Sequence, residues 1–293
     1  MRHPVSGLRR TVIAAGVTLA VLMLAACACG ARTASGTAAS EIGRPPSRAG
    51  VLLPPAGRVS YQLGGAYRPP AAVTIVDRDG SDPPDQGRYS ICYINAYQAQ
   101  PDAVTWWQHH YPDLLLRDRA GALVTDRQWN EPLLAIDTAT RRAALLATVG
   151  TWIDHCAAAG YQAVEADNLD SYTRSHGLLT AADALAYARL LTVRAHRDRL
   201  AIAQKNAVGL SRPARAAGFD FAVAEECQVY HECDSYTSVY GRHVIEVEYT
   251  DQPASAFIQA CRERGAIISI TRRDRDLLPA GQPGHTEQWC PAR

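Results

Sequence analysis

Short β-branched runs alternate with Ala- and Leu-rich stretches along most of the chain, and this alternation predicts a single (β/α)8 barrel. The chain has 293 residues, of which 47% are hydrophobic, enough for one barrel of ~250 residues with a buried core. Polar residues collect at the carboxyl ends of the predicted strands, where barrels carry their sites. The alternative is a doubly wound open sheet, but no glycine-rich phosphate turn follows the first strand.

The first 27 residues are typical of an export signal and are set apart from the fold. Three arginines precede the apolar run of residues 11–24, which is shorter than the ~20 residues of a membrane-spanning helix. The run leads into Leu-Ala-Ala-Cys, which resembles a bacterial lipoprotein signal and predicts lipidation of Cys27. The alternative is an ordinary secretory signal. Either signal predicts a mature protein outside the cytoplasm, held at the membrane by lipid or secreted.

Residues 28–56 are rich in Ala, Gly, Ser and Thr and are predicted to be a flexible linker, which leaves residues 57–293 for the barrel. Six cysteines in that part, an even number in an exported chain, predict disulfides that pair Cys227 with Cys233 and Cys261 with Cys290, and leave open whether Cys92 and Cys156 are bridged. Zinc is the competing interpretation, but no spacing matches a zinc ribbon or finger. We therefore expect no metal and no cofactor.

Eight strands are predicted at residues 59–62, 73–76, 90–94, 163–165, 201–203, 221–224, 244–247 and 267–270. Helices are predicted at residues 141–159, 181–197 and 252–264. Seven of the strands end in polar side chains: Asp77, Asp79, Asn95, Tyr97, Asp167, Asn168, Asp170, Lys205, Asn206, Glu225, Glu226, Glu248, Tyr249, Arg272 and Arg273. In a barrel these ends converge on one face, so we expect the active site there.

Two acidic stretches are the most informative of these ends. Glu165 and Asp167 share one strand face, so one of them should hold a proton unless a cation lies between them. Only one of the adjacent Glu225 and Glu226 can enter the barrel mouth. Two carboxylates from different strand ends are what hydrolysis of a glycosidic bond requires. A calcium loop would need Gly and Glu at positions where this sequence lacks them, and no Gly-x-Ser-x-Gly elbow supports a serine hydrolase.

Lys205 is the only lysine in a chain that otherwise uses arginine. A compact ammonium group at a strand end predicts pairing with one of the barrel carboxylates. Trp106, Trp107, Tyr111 and Trp129 follow the third strand and either stack on sugar rings or form ordinary core.

Five ordered stretches resemble the endo-α-1,4-polygalactosaminidases of glycoside hydrolase family 114. They are Ile-Cys-Tyr-Ile-Asn-Ala at 91–96, the segment 155–172 with Asp-Asn-Leu-Asp, Gln-Lys-Asn at 204–206, the segment 219–234 with Glu-Glu-Cys, and Val-Glu-Tyr at 247–249. The resemblance runs from about residue 61 to the carboxyl terminus. It implies a TIM barrel and endo-hydrolysis of galactosamine polymers.

The resemblance also implies that Asp167 and Glu225 are the catalytic carboxylates. Together with the strand-end pattern, it gives the expected substrate-binding residues Asp77, Tyr93, Glu165, Asn168, Lys205, Asn206, Glu248 and Tyr249. We expect retention of configuration, with Asp167 as an ionised nucleophile and Glu225 as the acid/base. The apolar strand before Glu225 predicts a raised pKa for its carboxyl group.

The expected partners follow from the same observations. An amino-sugar polysaccharide is the expected substrate, because an acid-rich barrel mouth suits a cationic sugar. A formal net charge of +1 does not favour nucleic acid. We expect a monomer that contacts the membrane through its lipid anchor. The alternative function is a catalytically silent barrel that binds a cell-wall or matrix polysaccharide.

The lipoprotein signal generates a direct prediction. The substitution Cys27→Ala should move the protein from the membrane fraction to the soluble exported fraction, because acyl chains would supply its anchor. Immunoblotting of fractionated cells measures the change. Unchanged membrane retention would argue against lipidation at this cysteine.

Overall fold

The computed structural model describes residues 48–291. Within this range the strands are β1 (Arg58–Gln62), β2 (Val73–Asp79), β3 (Tyr89–Asn95), β4 (Thr125–Asp126), β5 (Glu131–Pro132), β6 (Ala163–Asp167), β7 (Ala201–Lys205), β8 (Phe221–Glu225), β9 (Val244–Tyr249), β10 (Ser269–Arg273) and β11 (Glu287–Trp289). The α-helices are α1 (Val104–His110), α2 (Ala139–Ala159), α3 (Ala181–Arg197), α4 (Ser211–Ala217), α5 (Cys233–Tyr240) and α6 (Ala254–Arg264).

The predicted barrel is confirmed. Eight parallel strands pair in the order β1-β2-β3-β6-β7-β8-β9-β10 and form a nearly closed sheet. Each predicted strand is present, and most extend one to three residues further towards their carboxyl ends. The strands β4 and β5 form a separate antiparallel hairpin in the long connection between β3 and α2.

A ninth strand, which the sequence did not predict, helps to close the barrel. β11 pairs antiparallel with β10, and its Trp289 donates from Nε1 to the carbonyl of Val59 in β1 (2.7 Å). Ser60 Oγ of β1 donates to Glu287 Oε1 (2.7 Å), and the guanidinium of Arg273 donates to the carbonyl of Tyr61. Side chains therefore link β10 and β11 to β1.

The alternation of side chains along the strands separates two apolar cores. The inner core fills the barrel and is built from odd-numbered residues such as Ile91, Ala203 and Val223. The outer core lies between strands and helices and takes even-numbered strand residues such as Val164 and Ala222. This rule fixes which strand-end side chains can reach the barrel mouth.

Local capping explains the long helices. Thr138 caps α2, which ends at Gly160 in the left-handed conformation (φ 96°). Thr180 and Asp183 form a capping box at the start of α3, whose predicted bounds are confirmed. α6 begins two residues later than predicted because Pro253 occupies its N-cap position.

Three disulfides are present: one pairs Cys92 with Cys156, which the sequence left open, and the two predicted ones pair Cys227 with Cys233 and Cys261 with Cys290. The first joins β3 to α2, the second closes the turn before α5, and the third ties α6 to the segment after β11. Three disulfides in one domain are typical of proteins that fold in an oxidising compartment.

The packed part of the chain begins before residue 57, where the sequence predicted the end of a linker. Arg48 Nε forms an ion pair with Oδ1 of the buried Asp220 (2.7 Å), and Tyr89 OH donates to the carbonyl of Leu52 (2.7 Å). Val51 and Leu53 pack against the inner core. The predicted signal peptide and Cys27 lie outside the described residues. Among residues 48–291, no helix has the length and apolar character needed to cross a membrane.

Candidate active site

The carboxyl ends of the barrel strands surround an open cavity of about 460 Å³. Its floor and wall include odd-numbered strand residues, namely Tyr93, Asp167, Lys205, Glu225 and Tyr249. Loops complete the wall with Leu63, Gly64, Asp126, Gln128, Trp129, Glu131, Asn168, Asp170, Arg174, Asn206, Arg275, Asp276 and Leu277. The predicted convergence of strand-end polar residues therefore occurs at one site.

Lys205 lies at the centre of this site and is almost completely buried. Its Nζ lies 2.9 Å from Glu165 Oε1 and 3.3 Å from Glu225 Oε2. The same nitrogen lies 3.5 Å from Asp167 Oδ2 and donates to Tyr61 OH (3.0 Å). Burial alone would lower the pKa of the lysine, but the surrounding carboxylates raise it well above its ordinary value. The ammonium group therefore stays charged, and the predicted pairing with barrel carboxylates is confirmed.

Glu225 is held at the end of β8 by three neighbours besides the strand itself. Asn206 Nδ2 donates to Glu225 Oε2 (2.8 Å), while Asn206 Oδ1 accepts from the Glu225 amide (2.9 Å). Tyr249 OH donates to the other carboxylate oxygen. Burial raises the pKa of Glu225, but Lys205 and these hydrogen bonds outweigh it and lower the pKa below its ordinary value.

Asp167 stands at the end of β6, on the other side of Lys205. Its Oδ2 accepts from Tyr93 OH (2.9 Å), and its Oδ1 accepts from the Asn168 amide (2.6 Å). Burial raises the pKa of Asp167, and the attraction of Lys205 does not fully offset it. The raised pKa predicted for Glu225 from the sequence is therefore wrong in direction, whereas the nearby charges of Glu225 and Glu165 add to the effect of burial on Asp167.

The shared lysine limits the distance between the two carboxylates. Because Asp167 Oδ2 and Glu225 Oε2 both lie within 3.5 Å of one nitrogen, these oxygens are at most about 7 Å apart. Retaining glycosidases place their carboxyl groups ~5–5.5 Å apart and inverting enzymes ~6.5–9.5 Å apart. Because each carboxyl group has a second oxygen, a bound on this one pair of oxygens is compatible with either geometry.

Asp77 and Glu165 lie beneath the cavity, which corrects their predicted role in substrate contact. Both are fully buried and neither lines the cavity wall. Burial, followed by the charge of the neighbouring Glu165, raises the pKa of Asp77 well above its ordinary value. Neither Asp77 oxygen nor Glu165 Oε2 accepts a hydrogen bond from residues 48–291. A proton on Asp77 therefore satisfies the pair and leaves Glu165 Oε1 to hold Lys205.

Glu248 is also misplaced by the sequence prediction. It is an even-numbered residue of β9, so its side chain points to the helix layer, where Oε1 accepts from the Gln228 amide (3.0 Å). Burial raises its pKa to about 8. Glu226, one residue beyond β8, forms an ion pair with Arg275 (2.6 Å). Only Glu225 of the two adjacent glutamates lines the cavity, as predicted.

Left-handed backbone follows three consecutive site strands. Asn168 has φ 69°, Asn206 has φ 47°, Ala207 has φ 59° and Glu226 has φ 56°. This conformation is uncommon for residues other than glycine, and it is costly for Ala and Glu. The sharp turns after β6 and β7 place the backbone N–H of Asn168 beside the Asp167 carboxylate and the side-chain amide of Asn206 beside the Glu225 carboxylate.

Sequence reasoning missed the contribution of the β4–β5 hairpin. Glu131 Oε2 accepts from Asn95 Nδ2 (2.8 Å) and lies 3.5 Å from Asn168 Nδ2. The exposed Trp129 is the only one of the four noted aromatics that lines the cavity, whereas Trp106 packs edge-on against Trp107 at 5.3 Å. The Trp-Asn-Glu sequence at 129–131 could have pointed to these cavity residues. However, strands of two residues show no periodic pattern from which their position can be predicted.

A (β/α)8 barrel with two carboxylates facing one cavity at its carboxyl end has the arrangement of a glycoside hydrolase. The chain belongs to Glycoside-hydrolase family GH114, whose family model matches residues 42–293. The protein is thus a glycoside hydrolase, and the family resemblance drawn from the sequence is confirmed. A comparison with curated protein sequences gave no match.

Solved structures share the fold. Ega3 of Aspergillus fumigatus, crystallised in complex with galactosamine, is similar with a TM-score of 0.64 and 24% identity, covering 80% of this chain and 96% of its own. The glycoside hydrolase domain of PelA from Pseudomonas aeruginosa has a TM-score of 0.55 and 16% identity, covering 78% of this chain and 98% of its own.

The buried Asp77–Glu165 pair generates a prediction on stability. A raised native pKa means that Asp77 favours folding below its unfolded pKa of ~3.9 and that this contribution is lost as pH rises. Asp77→Asn, whose amide can still donate to Glu165, should therefore gain stability relative to wild type between pH 4 and pH 7. Urea unfolding at both pH values measures it, with exposed Asp113→Asn as the charge control. An equal difference at both pH values would contradict the shared proton.

Proposed function

We propose that this glycoside hydrolase cleaves α-1,4-linked galactosamine-type polysaccharide with Asp167 and Glu225 as its catalytic carboxylates. One observation carries the proposal: the two carboxylates come from different strands, line one cavity, and are held on a single lysine nitrogen. Every other carboxylate on Lys205 is buried below the cavity.

In the proposed reaction, one carboxyl group protonates the leaving glycosidic oxygen. The other attacks the anomeric carbon or activates a water molecule. We propose direct attack and retention of configuration, which the upper bound on the separation of their oxygens allows. Lys205 lowers the electrostatic cost of holding two carboxylates so close together. We propose the pair without fixed individual roles, because the pKa of Glu225 in the free protein is shifted in the direction opposite to the one expected from the sequence.

The proposed substrate class rests on the cavity wall and on a structural neighbour. The wall includes the acidic side chains of Glu131 and Asp276, which suit a cationic sugar, and the exposed ring of Trp129, which offers a stacking surface. Ega3, which shares the fold, was crystallised with galactosamine. We propose further that the protein is exported, that its lipidated Cys27 holds it at the membrane, and that it acts as a monomer.

The direct test is the release of reducing ends from partially deacetylated galactosaminogalactan. Purified protein should release them over time, and the products should be oligosaccharides rather than single sugars. Binding of the polymer without any release would instead support a silent, polysaccharide-binding barrel.

The catalytic assignment makes its own prediction. Asp167→Asn and Glu225→Gln should each reduce turnover of a confirmed substrate by at least about a hundredfold, because each removes a group that transfers a proton or forms a bond. Glu226→Gln is the matched control, since its side chain pairs with Arg275 outside the reacting pair, and it should cost far less. Steady-state kinetics decide the matter. Equal losses in Glu225→Gln and Glu226→Gln would refute the assignment, as would full turnover in either catalytic variant.

A further inference from the structure

We propose that Glu131 determines specificity by binding the protonated amino group of a substrate sugar, so that the site selects free galactosamine over its N-acetylated form. This inference rests on the proposed function and adds the residue that recognises the amine. An ammonium group needs a carboxylate that is close to the reacting pair, accessible from the cavity and free of a competing cation.

Glu131 is close to the reacting pair. It starts β5 and lines the cavity. Its Oε2 lies 3.5 Å from Asn168 Nδ2, and the amide of Asn168 donates to Asp167 Oδ1 (2.6 Å). The two carboxylates thus contact the same asparagine. A sugar that presents its anomeric carbon to the catalytic pair can therefore reach Glu131 with a ring substituent.

One oxygen of Glu131 is anchored and the other is free. Oε2 accepts from Asn95 Nδ2 (2.8 Å), and the Gln98 amide, in the orientation that satisfies both of its ends, also donates to it (2.8 Å). Oε1 accepts no hydrogen bond from residues 48–291, and it keeps some surface exposed to solvent. The carboxylate is therefore rigidly oriented, with one accessible oxygen left for a ligand.

Glu131 also lacks a cationic partner within the protein. Arg174 is engaged by Asp126 (2.6 Å) and Asp170 (2.8 Å), which also line the cavity. Among the described residues, no Lys, Arg or His forms an ion pair with Glu131. Asp276 likewise has no ion-pair partner there, but it is exposed, so solvent screens its charge. Half-buried Glu131 is the wall carboxylate that a substrate cation would stabilise most.

The electrostatics of Glu131 give the inference a pH signature. Its pKa is raised to about 7, mainly by burial and also by the charges of Asp167 and Asp126, against the opposing effects of the Asn95 hydrogen bond and Arg174. Below that pH the carboxyl group is protonated in the free protein and cannot pair with an ammonium group. Binding of a galactosamine oligomer should therefore strengthen as pH rises towards neutrality, until the sugar amine itself loses its proton.

The test compares wild type with Glu131→Gln, which keeps an acceptor for Asn95 but removes the charge. With a fully deacetylated galactosamine oligomer at pH 7, the KM of Glu131→Gln should rise by about tenfold or more, which corresponds to one charge-assisted contact. Its kcat should stay within about twofold of the wild-type value. Its affinity for the oligomer should no longer increase as the pH rises towards 7. Affinity for the N-acetylated oligomer should not change. Asp113→Asn, an exposed carboxylate outside the cavity, should behave as wild type.

The outcomes separate this inference from the proposed function. No release of reducing ends by wild type would overturn the proposed function, and calorimetric binding of the same oligomer to wild type and Glu131→Gln would still decide the inference. Equal affinity of the two proteins for the deacetylated oligomer would overturn the inference alone. A loss confined to kcat would also overturn it, because Glu131 would then act only by positioning Asn168.

Discussion

The ammonium group of Lys205 is the interaction on which the site depends. Three carboxylates lie within 3.5 Å of its nitrogen, one below it and two on the cavity wall. Without a cation, carboxylates this close together could not all ionise. With it, the pKa of Glu225 falls below that of an ordinary glutamate, while burial and the charges of Glu225 and Glu165 keep the pKa of Asp167 above that of an ordinary aspartate. One buried charge thus sets the protonation of the groups that are proposed to carry the chemistry.

Layers of support hold that charge in place. Below Lys205, Glu165 accepts from Tyr61 OH (2.9 Å), and its charge adds to the effect of burial in raising the pKa of Asp77. Around it, Tyr93 orients Asp167 and Tyr249 orients Glu225. Groups that fix the geometry of reacting side chains by packing and hydrogen bonding are a general requirement of catalytic sites. The cost of burying so many polar groups is offset because most of them satisfy one another.

Much of this arrangement was predictable from the sequence, because strand side chains alternate. Within β6 the alternation places Glu165 and Asp167 on one face, and beyond β8 it allows only one of Glu225 and Glu226 to face the cavity. Glu248 was wrongly assigned to the substrate-binding residues because only its position at a strand end was used. Its neighbours Val247 and Tyr249 face the barrel interior, so alternation places Glu248 on the opposite face. The depth of Asp77 could not be read from the sequence, since parity gives the face of a strand and not the level within the barrel. Glu131 was missed because its hairpin strands are too short to show a period.

The direction of the pKa shift of Glu225 was mispredicted for a related reason. The apolar strand before Glu225 suggested desolvation, but the donors that offset it come from β7 and β9, which are distant in sequence. The most direct test of the account is therefore a carboxyl NMR titration of Glu225 in wild type and in folded Lys205→Met. The account predicts a higher pKa for Glu225 in the variant, because burial remains while the neighbouring cation is lost. An unchanged or lower pKa would contradict the central role of Lys205.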